Sequence, residues 1–340
     1  MIAARLHAAG DLRVEKISPL GAPEAGWARL RVTAAGICGS DLHNFRTGQW
    51  ITRSPSVAGH EFAGIVTQVG EGVEGLAPGD PVVADSRFWC GECPACRSGR
   101  QNLCLNLGFV GEVCDGGFAE EVLLPARLLV KHDPRLDPAV AAMAEPLAVA
   151  LHAIRRLAPP AGEPVLVAGC GPIGGLAALL LSRLHEGRLL VADRNLERAA
   201  LVSQVTGAAV VTLDRPSVQS VLGEGVLRYA LDATGSIEVL SALLGLLAGG
   251  GSLALVGIAH GKIELDPNTL VERETALVGC HAFAGELPQA VAMLPELSSP
   301  LRRLIDREIG IEEIPAAYAR LLAGQARGLK TIIRIGNGGS

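Results

Sequence analysis

The 340-residue chain contains no cluster of lysine and arginine, and its 30 basic residues against 35 acidic ones leave a formal charge of −5. A nucleic-acid footprint or a polybasic membrane surface needs positive charge gathered on one face, so both partners are excluded and a small molecule is expected instead. The opening residues, Met1-Ile2-Ala3-Ala4-Arg5, lack the basic region and long apolar stretch of a secretory signal, from which a cytoplasmic location is expected. Unbroken apolar runs of membrane-spanning length are missing too. The uncharged stretch 164–182 is cut by Gly169, Gly171, Pro172, Gly174 and Gly175, and the stretch 239–259 by Gly249-Gly250-Gly251. Each reads as a buried strand and helix joined by a turn. There is no internal repeat, and the low-complexity piece is the tail 336–340. In a reducing compartment eight cysteines do not make a disulfide framework, so metal binding and catalysis have to be considered for them.

What is present divides in two. The length exceeds what a single hydrophobic core usually supports. Residues 1 to about 135 show short alternating runs, such as Ala28-Arg29-Leu30-Arg31-Val32-Thr33 and the run from Phe62 to Val69, broken by turns like Pro78-Gly79-Asp80-Pro81, which is the texture of a mostly β domain. From about Pro138 longer helical patterns alternate with short apolar runs, the sign of βαβ units around a parallel sheet. The spacing predicts strands at Val165 to Ala168, Leu189 to Ala192, Ala209 to Leu213, Tyr229 to Ala233 and Ser252 to Val256, with a last strand at Thr331 to Ile335.

Gly169-Cys170-Gly171-Pro172-Ile173-Gly174 places G-x-G-x-x-G directly after the first of these strands and at the start of an apolar helix. Glycines there permit a tight turn and let a pyrophosphate approach the helix N-terminus, whose free N–H groups favour an anion. Asp193 ends the following strand, where a carboxylate can bond both ribose hydroxyls and repel a 2′-phosphate, so NAD is expected over NADP. Arg194 beside it complicates the choice, since a guanidinium there can pair with a 2′-phosphate.

Cys90, Cys93, Cys96 and Cys104 form C-x2-C-x2-C-x7-C. Four thiolates at this spacing match a closed tetrahedral zinc site with a structural role, with an iron–sulfur cluster as the chemical rival. A second set, Cys38-Gly-Ser40-Asp41-Leu-His43, His60-Glu61 and Glu145, is on spacing alone only a plausible metal constellation; each member taken singly is compatible with packing or a solvated surface. Cys114, Cys170 and Cys280 are read as packing residues. His260 carries no assigned role.

Taken in this order, the Cys ladder, the Cys38/His60 region, Asp115-Gly-Gly-Phe-Ala-Glu120, the nucleotide fingerprint and the closing Lys330-Thr-Ile-Ile-Arg334 make the chain resemble the zinc-containing medium-chain dehydrogenase/reductase family, and within it the branch of polyol, sugar-acid and threonine dehydrogenases. The resemblance runs from about Leu12 to Ile335. It implies an α/β fold in two parts: a discontinuous GroES-like, mostly β catalytic domain, residues 1–146 and 281–340, and a Rossmann domain with a doubly wound parallel sheet, residues 147–280. It also implies a zinc-dependent alcohol dehydrogenase that moves a hydride between a small-molecule secondary alcohol, of polyol, cyclitol, sugar-acid or hydroxy amino acid type, and NAD(P), with two zinc ions per chain. By the resemblance Cys38, His60 and either Glu61 or Glu145 hold the catalytic zinc, Asp41 fixes the His60 ring, and Ser40 and His43 form a proton relay. Arg198 is placed near the adenosine ribose and Lys330 near the pyrophosphate. A homodimer or homotetramer is implied, with an edge strand near Ser252 to Val256 pairing across a twofold axis.

The pattern departs from the branch after Gly279. Many polyol and sugar-acid enzymes carry an aromatic-Arg-aromatic segment there whose Arg meets substrate oxygens; here it reads His281-Ala282-Phe283. Arg46 is a candidate replacement, with a solvated side chain as the alternative. Phe45, Trp50, Phe88 and Trp89 are candidates for a substrate wall or for core. A zinc-free quinone or enone reductase would have lost the Cys38/His60 pair and the Cys ladder, and a non-catalytic redox sensor would tolerate decay of Ser40, Asp41 and His43; all of these residues are intact.

Overall fold

A computed structural model describes residues 1–259 and 261–336, so His260 and most of the low-complexity tail lie outside the described residues. The chain divides into two compact units, one formed by Met1–Glu145 with the chain from Leu287 onward, the other by Pro146–Glu286.

The first unit is built around a seven-stranded sheet. Its path runs Leu129–Lys131, Pro81–Ala84, Glu61–Val69, Trp27–Gly36, Lys330–Arg334 and Ile305–Gly310, with Glu121–Pro125 also paired to Trp27–Gly36. A smaller sheet of Asp11–Lys16, Ile2–Ala8 and Ser56–Val57 belongs to the same unit. Alternation sets the inward face of the Trp27–Gly36 strand: Ala28, Leu30 and Val32 are fully buried while Arg29 and Arg31 turn outward. Its last residues, Ala34-Ala35-Gly36, are buried without alternation. Just beyond the strand, Cys38 stands at the N-cap of the helix Gly39–Thr47, and its backbone N–H donates to the Asp41 carboxylate at 2.9 Å. Gly48 closes that helix in the left-handed conformation (φ 68°) that a side chain rarely adopts.

The second unit holds a six-stranded, all-parallel sheet in the order Ala209–Val210, Leu189–Ala192, Val165–Ala168, Tyr229–Asp232, Ser252–Leu255 and Ala276–Gly279. Strands of such a sheet are covered on both faces and read as continuous apolar runs, as Val165-Leu166-Val167-Ala168 does with every residue buried. The strand expected at Ala209 to Leu213 shortens to two residues. A larger correction concerns the sheet edge. Ser252–Leu255 is an interior strand, because Ala276–Gly279 adds beside it in parallel after the short helix Pro267–Arg273. Its four residues, half of them exposed, carry too little periodicity to be read as a strand.

The division of the chain also differs at its second crossing, since residues 281–286 belong to the nucleotide unit. Phe283 is fully buried, and Glu286 pairs within that unit with His152 and with Arg155, each at 3.2 Å. No helix among the described residues is long and apolar enough to cross a membrane.

Candidate active site

The ligand atoms of Cys38, His60 and Glu61 lie within 4.8 Å of one another. Topology brings them together, because Cys38 follows the Trp27–Gly36 strand and His60 and Glu61 stand where the Glu61–Val69 strand begins, with Gly36 and Glu61 directly opposite in the antiparallel ladder. The imidazole is fixed from both sides: His60 Nδ1 faces the Asp41 carboxylate at 3.4 Å, and Nε2 lies 3.4 Å from the Ser40 hydroxyl. Burial disfavours the charged ring, but the Asp41 carboxylate and the Cys38 thiol outweigh it and hold His60 well above the usual imidazole range. A metal at Nε2 competes with that proton. Thiolate, imidazole and carboxylate are a donor set that zinc accepts, and three protein ligands leave a fourth position for a substrate oxygen.

Behind this group sits a buried ion pair. Lys330 Nζ donates to both oxygens of Glu61, at 2.8 and 2.6 Å, and to the Ile37 carbonyl at 3.2 Å. Glu61 is 0% and Lys330 1% exposed. Burial opposes the ammonium, and the Glu61 carboxylate more than restores it, so the Lys330 pKa is raised. Gly36 makes the arrangement possible, since a Cβ there would stand 2.5 Å from Glu61 Oε2. Lys330, which the resemblance places near the pyrophosphate, has its ammonium on the Glu61 carboxylate.

Glu145, the other candidate ligand, is buried and accepts a 2.5 Å hydrogen bond from the Ser86 hydroxyl. Burial first, and then the nearby Glu61 carboxylate, push it up to about 7. His43, expected as a relay, is buried with Nε2 2.8 Å from Gln49 Oε1 and its ring 4.6 Å from that of Trp50. Sequence reasoning missed Ser86, Gln49 and a further acid, Glu112. Glu112 lines a small pocket together with Ser40, Asp41, His60, Phe45 and Tyr318. Burial pushes the Glu112 carboxyl up to about 7. Only the short Glu112-Val113-Cys114 segment before Asp115-Gly-Gly marks it in the sequence, and no pattern distinguishes it from a solvated turn.

The four ladder cysteines also gather within 4.8 Å. Sγ of Cys90 lies 3.4 Å from that of Cys104 and 4.0 Å from that of Cys96. A tetrahedral zinc with Zn–S bonds near 2.3 Å sets its sulfurs roughly 3.8 Å apart. An iron–sulfur cluster spreads its thiolates over several irons and holds them farther apart, so the geometry fits a single zinc ion. Backbone N–H groups of Cys96 and Leu105 draw the Cys93 thiol down to about 6, while burial pushes Cys96 up to about 12. Trp89 lies beneath Arg87 and Arg127, at 5.1 and 5.6 Å, and Phe88 beneath Arg127 at 5.2 Å. These two aromatics therefore pack against guanidinium groups, and Phe45 packs edge-on against Tyr318. Arg46 is exposed.

In the nucleotide unit Gly171 is the N-cap and Pro172 the first residue of the helix Pro172–Leu184, with Ile173 next and half-buried. Gly174 is required by close approach, because a Cβ there would stand 1.8 Å from the Gly169 carbonyl oxygen. Asp193 accepts hydrogen bonds from the N–H groups of Cys170 at 2.6 Å and Asn195 at 2.7 Å, which pins it beside the glycine turn. Arg194 is exposed. Arg198 carries a buried Nε without a hydrogen-bond partner, and its guanidinium lies 3.9 Å from where a Cβ of Gly171 would be. An orphaned donor beside a bare glycine turn at a helix N-terminus fits the phosphates and ribose of a dinucleotide.

Comparison with known proteins agrees with this geometry. Residues 24–134 match the family model described as alcohol dehydrogenase GroES-like domain, and residues 172–296 the one described as zinc-binding dehydrogenase. The chain is 30% identical over 318 residues to 2-dehydro-3-deoxy-L-galactonate 5-dehydrogenase of Pseudoalteromonas atlantica, covering 92% of each protein. It superposes on 2R,3R-butanediol dehydrogenase of Bacillus subtilis with a TM-score of 0.90 at 30% identity, covering 98% of this chain and 99% of that one. An alcohol dehydrogenase of Escherichia coli solved with NADH gives a TM-score of 0.89 at 26% identity, covering 98% and 99%.

The buried pair makes a stability prediction. Lys330→Met leaves the Glu61 carboxylate without its counter-charge in a sealed environment, a change expected to cost about 3–5 kcal/mol. The double variant Lys330→Met/Glu61→Gln should recover much of that loss. Urea unfolding at saturating zinc checks this, and a Lys330→Met protein with the wild-type midpoint would show the pair to be without structural weight.

Proposed function

The chain belongs to the zinc-containing medium-chain dehydrogenase/reductase family, in the polyol, sugar-acid and threonine dehydrogenase branch, and we propose how its residues divide the work. It is a zinc-dependent, NAD(P)-linked oxidoreductase acting on the CH–OH group of a secondary alcohol. The observation that carries the site assignment is the convergence of Cys38, His60 and Glu61 within 4.8 Å. In this reading Cys38 and His60 hold the catalytic zinc with Glu61 or Glu145 as the third ligand, and the four ladder cysteines hold a structural zinc. When bound, zinc lowers the pKa of a coordinated hydroxyl and NAD accepts the hydride. Asp41 fixes the ring and tautomer of His60. The Ser40 hydroxyl would take the substrate proton and pass it through the cofactor ribose to His43, which Gln49 tethers at 2.8 Å, and so to solvent.

Gly169 to Gly174 hold the pyrophosphate at the helix N-terminus, Asp193 accepts from the ribose hydroxyls and Arg198 lies along the adenosine side. Asp193 favours NAD over NADP, and the exposed Arg194 does not reverse that preference. Eight free cysteines support a reducing, cytoplasmic setting. A homodimer or homotetramer is supported by the free edge of the parallel sheet at Ala276–Gly279, near which Val271 is 73% and Ile258 55% exposed.

Zinc-loaded protein should form NADH, followed at 340 nm, with at least one member of a panel of diols, polyols, aminocyclitols, sugar acids and hydroxy amino acids, and should carry close to two zinc ions per chain; near-zero zinc after zinc-replete growth would sink the reading. Cys38→Ala should abolish turnover while NADH binding, read by fluorescence, persists. Cys96→Ala opens the closed site and should lower the melting temperature, with turnover impaired only as a consequence. The reverse pattern would exchange the roles of the two sites. Light scattering should find an assembly of two or four chains, and a dilution-stable 35.2 kDa species would remove the oligomer.

A further inference from the structure

Of the two glutamates that are candidate ligands, one is saturated and the other is held by a single bond. Lys330 Nζ donates to both oxygens of Glu61, at 2.8 and 2.6 Å. Glu145, 6% exposed, accepts from the Ser86 hydroxyl through Oε1 alone, at 2.5 Å, and among the described residues no donor reaches Oε2. A serine hydroxyl carries one proton, so it fixes one carboxylate oxygen and leaves the second to another partner. The carboxyl shares its surroundings with His60, Glu61 and Lys330, each of which acts on it electrostatically, but the ammonium is already spent on Glu61 and the Ile37 carbonyl. Ser86 itself has little freedom. It is fully buried, its carbonyl accepts the Val110 N–H at 2.8 Å, and the N–H of Asp85 before it donates to the Leu128 carbonyl at 2.7 Å. Across the serine, the Asp85 carboxylate grips Arg87 through Nε at 3.0 Å and Nη2 at 2.7 Å, and the strand Arg87–Phe88 that follows is paired with Gly108–Phe109. A donor pinned on both sides in this way can fix the orientation of the carboxyl it meets.

We propose that Ser86 is a positioning residue of the catalytic metal site: by fixing Oε1 of Glu145 it leaves Oε2 as the oxygen available to the metal that Cys38 and His60 hold. The inference rests on the zinc assignment proposed above and adds to it a residue that acts only through Glu145. Carboxylates that ligate a metal are themselves oriented by hydrogen bonds, and loss of such a partner costs about tenfold to hundredfold in metal affinity or activity. Ser86→Ala removes one oxygen atom and leaves the Asp85–Arg87 fork and the backbone bonds of the segment in place.

The test uses full-length protein with zinc in the ladder and cobalt(II) at the Cys38 site, since cobalt accepts the same donors and, unlike zinc, absorbs visible light. Cys38→Ala supplies the blank, and the absorption that depends on Cys38 is the signal. Ser86→Ala should weaken cobalt binding at that site, measured by chelator competition, by about tenfold to hundredfold and should change the shape of its spectrum. In a Glu145→Ala background the same substitution should change the affinity by less than about twofold, because the hydroxyl then has nothing to hold. Zinc-loaded Ser86→Ala should lose about tenfold to hundredfold in kcat, with NADH affinity, read by fluorescence, unchanged. A serine that only packs the core would lower the urea midpoint and leave cobalt affinity and spectrum as in the wild type. That result, or an equal loss with and without Glu145, overturns the proposal. If the wild type shows no absorption that depends on Cys38, the zinc assignment falls and the role of Ser86 falls with it; a spectrum that depends on Cys38 and is indifferent to Ser86→Ala overturns the role of Ser86 alone.

Discussion

Much of the first unit hangs on one buried ion pair. Glu61 opens one strand, Lys330 opens another 269 residues later, and the Gly36 end of the strand between them in the sheet leaves the space both side chains fill. The pair is costly to bury and is tolerated because each charge is met twice over, Glu61 through both oxygens and Lys330 through Glu61 and the Ile37 carbonyl. Two apolar side chains would fill the same volume at less desolvation cost. They would not fix which face of each strand end turns toward Cys38 and His60. The pair therefore sets register at the point where the metal ligands emerge.

A second consequence follows for the two candidate carboxylate ligands. Glu61 has a full positive charge at 2.6 Å, whereas Glu145 has only the Ser86 hydroxyl and is pushed up to about 7. Environment thus separates two glutamates that a sequence treats as equivalent. Ser86 is held in turn by its neighbours, because Asp85 and Arg87 form a buried fork with contacts at 3.0 and 2.7 Å. The segment 85–87 anchors Glu145 on one side and leads directly into the zinc-ladder lobe on the other.

Legibility in the sequence tracked the range of the interaction involved. Local chemistry was readable: the ladder cysteines lie within fifteen residues, the glycine fingerprint within six, and Asp41 is three residues from the Cys38 N–H it accepts from. Apolar runs likewise marked five of the six strands of the parallel sheet. Long-range pairings were not readable. Lys330 on Glu61 and Ser86 on Glu145 join positions with no common pattern, and the family resemblance, which places Lys330 near the pyrophosphate, did not point to its contact with Glu61. The missed strand Ala276–Gly279 is a third case, since a four-residue edge strand has no face covered well enough to impose alternation.

The two cysteine-bearing groups show why stability and chemistry can be altered separately. In the proposed structural site the four ladder thiols would supply every position of a tetrahedron, and the lobe that carries them has little secondary structure of its own beyond Pro94–Arg97 and Gln101–Leu103, so a bound zinc would hold its shape. Around Cys38 the opposite holds. Strand ends, a capped helix and the Glu61–Lys330 pair hold Cys38, His60 and Glu61 together through contacts within the protein itself. A site preorganised by hydrogen bonds within the protein can leave one coordination position open without losing its form, whereas a lobe shaped by its metal cannot.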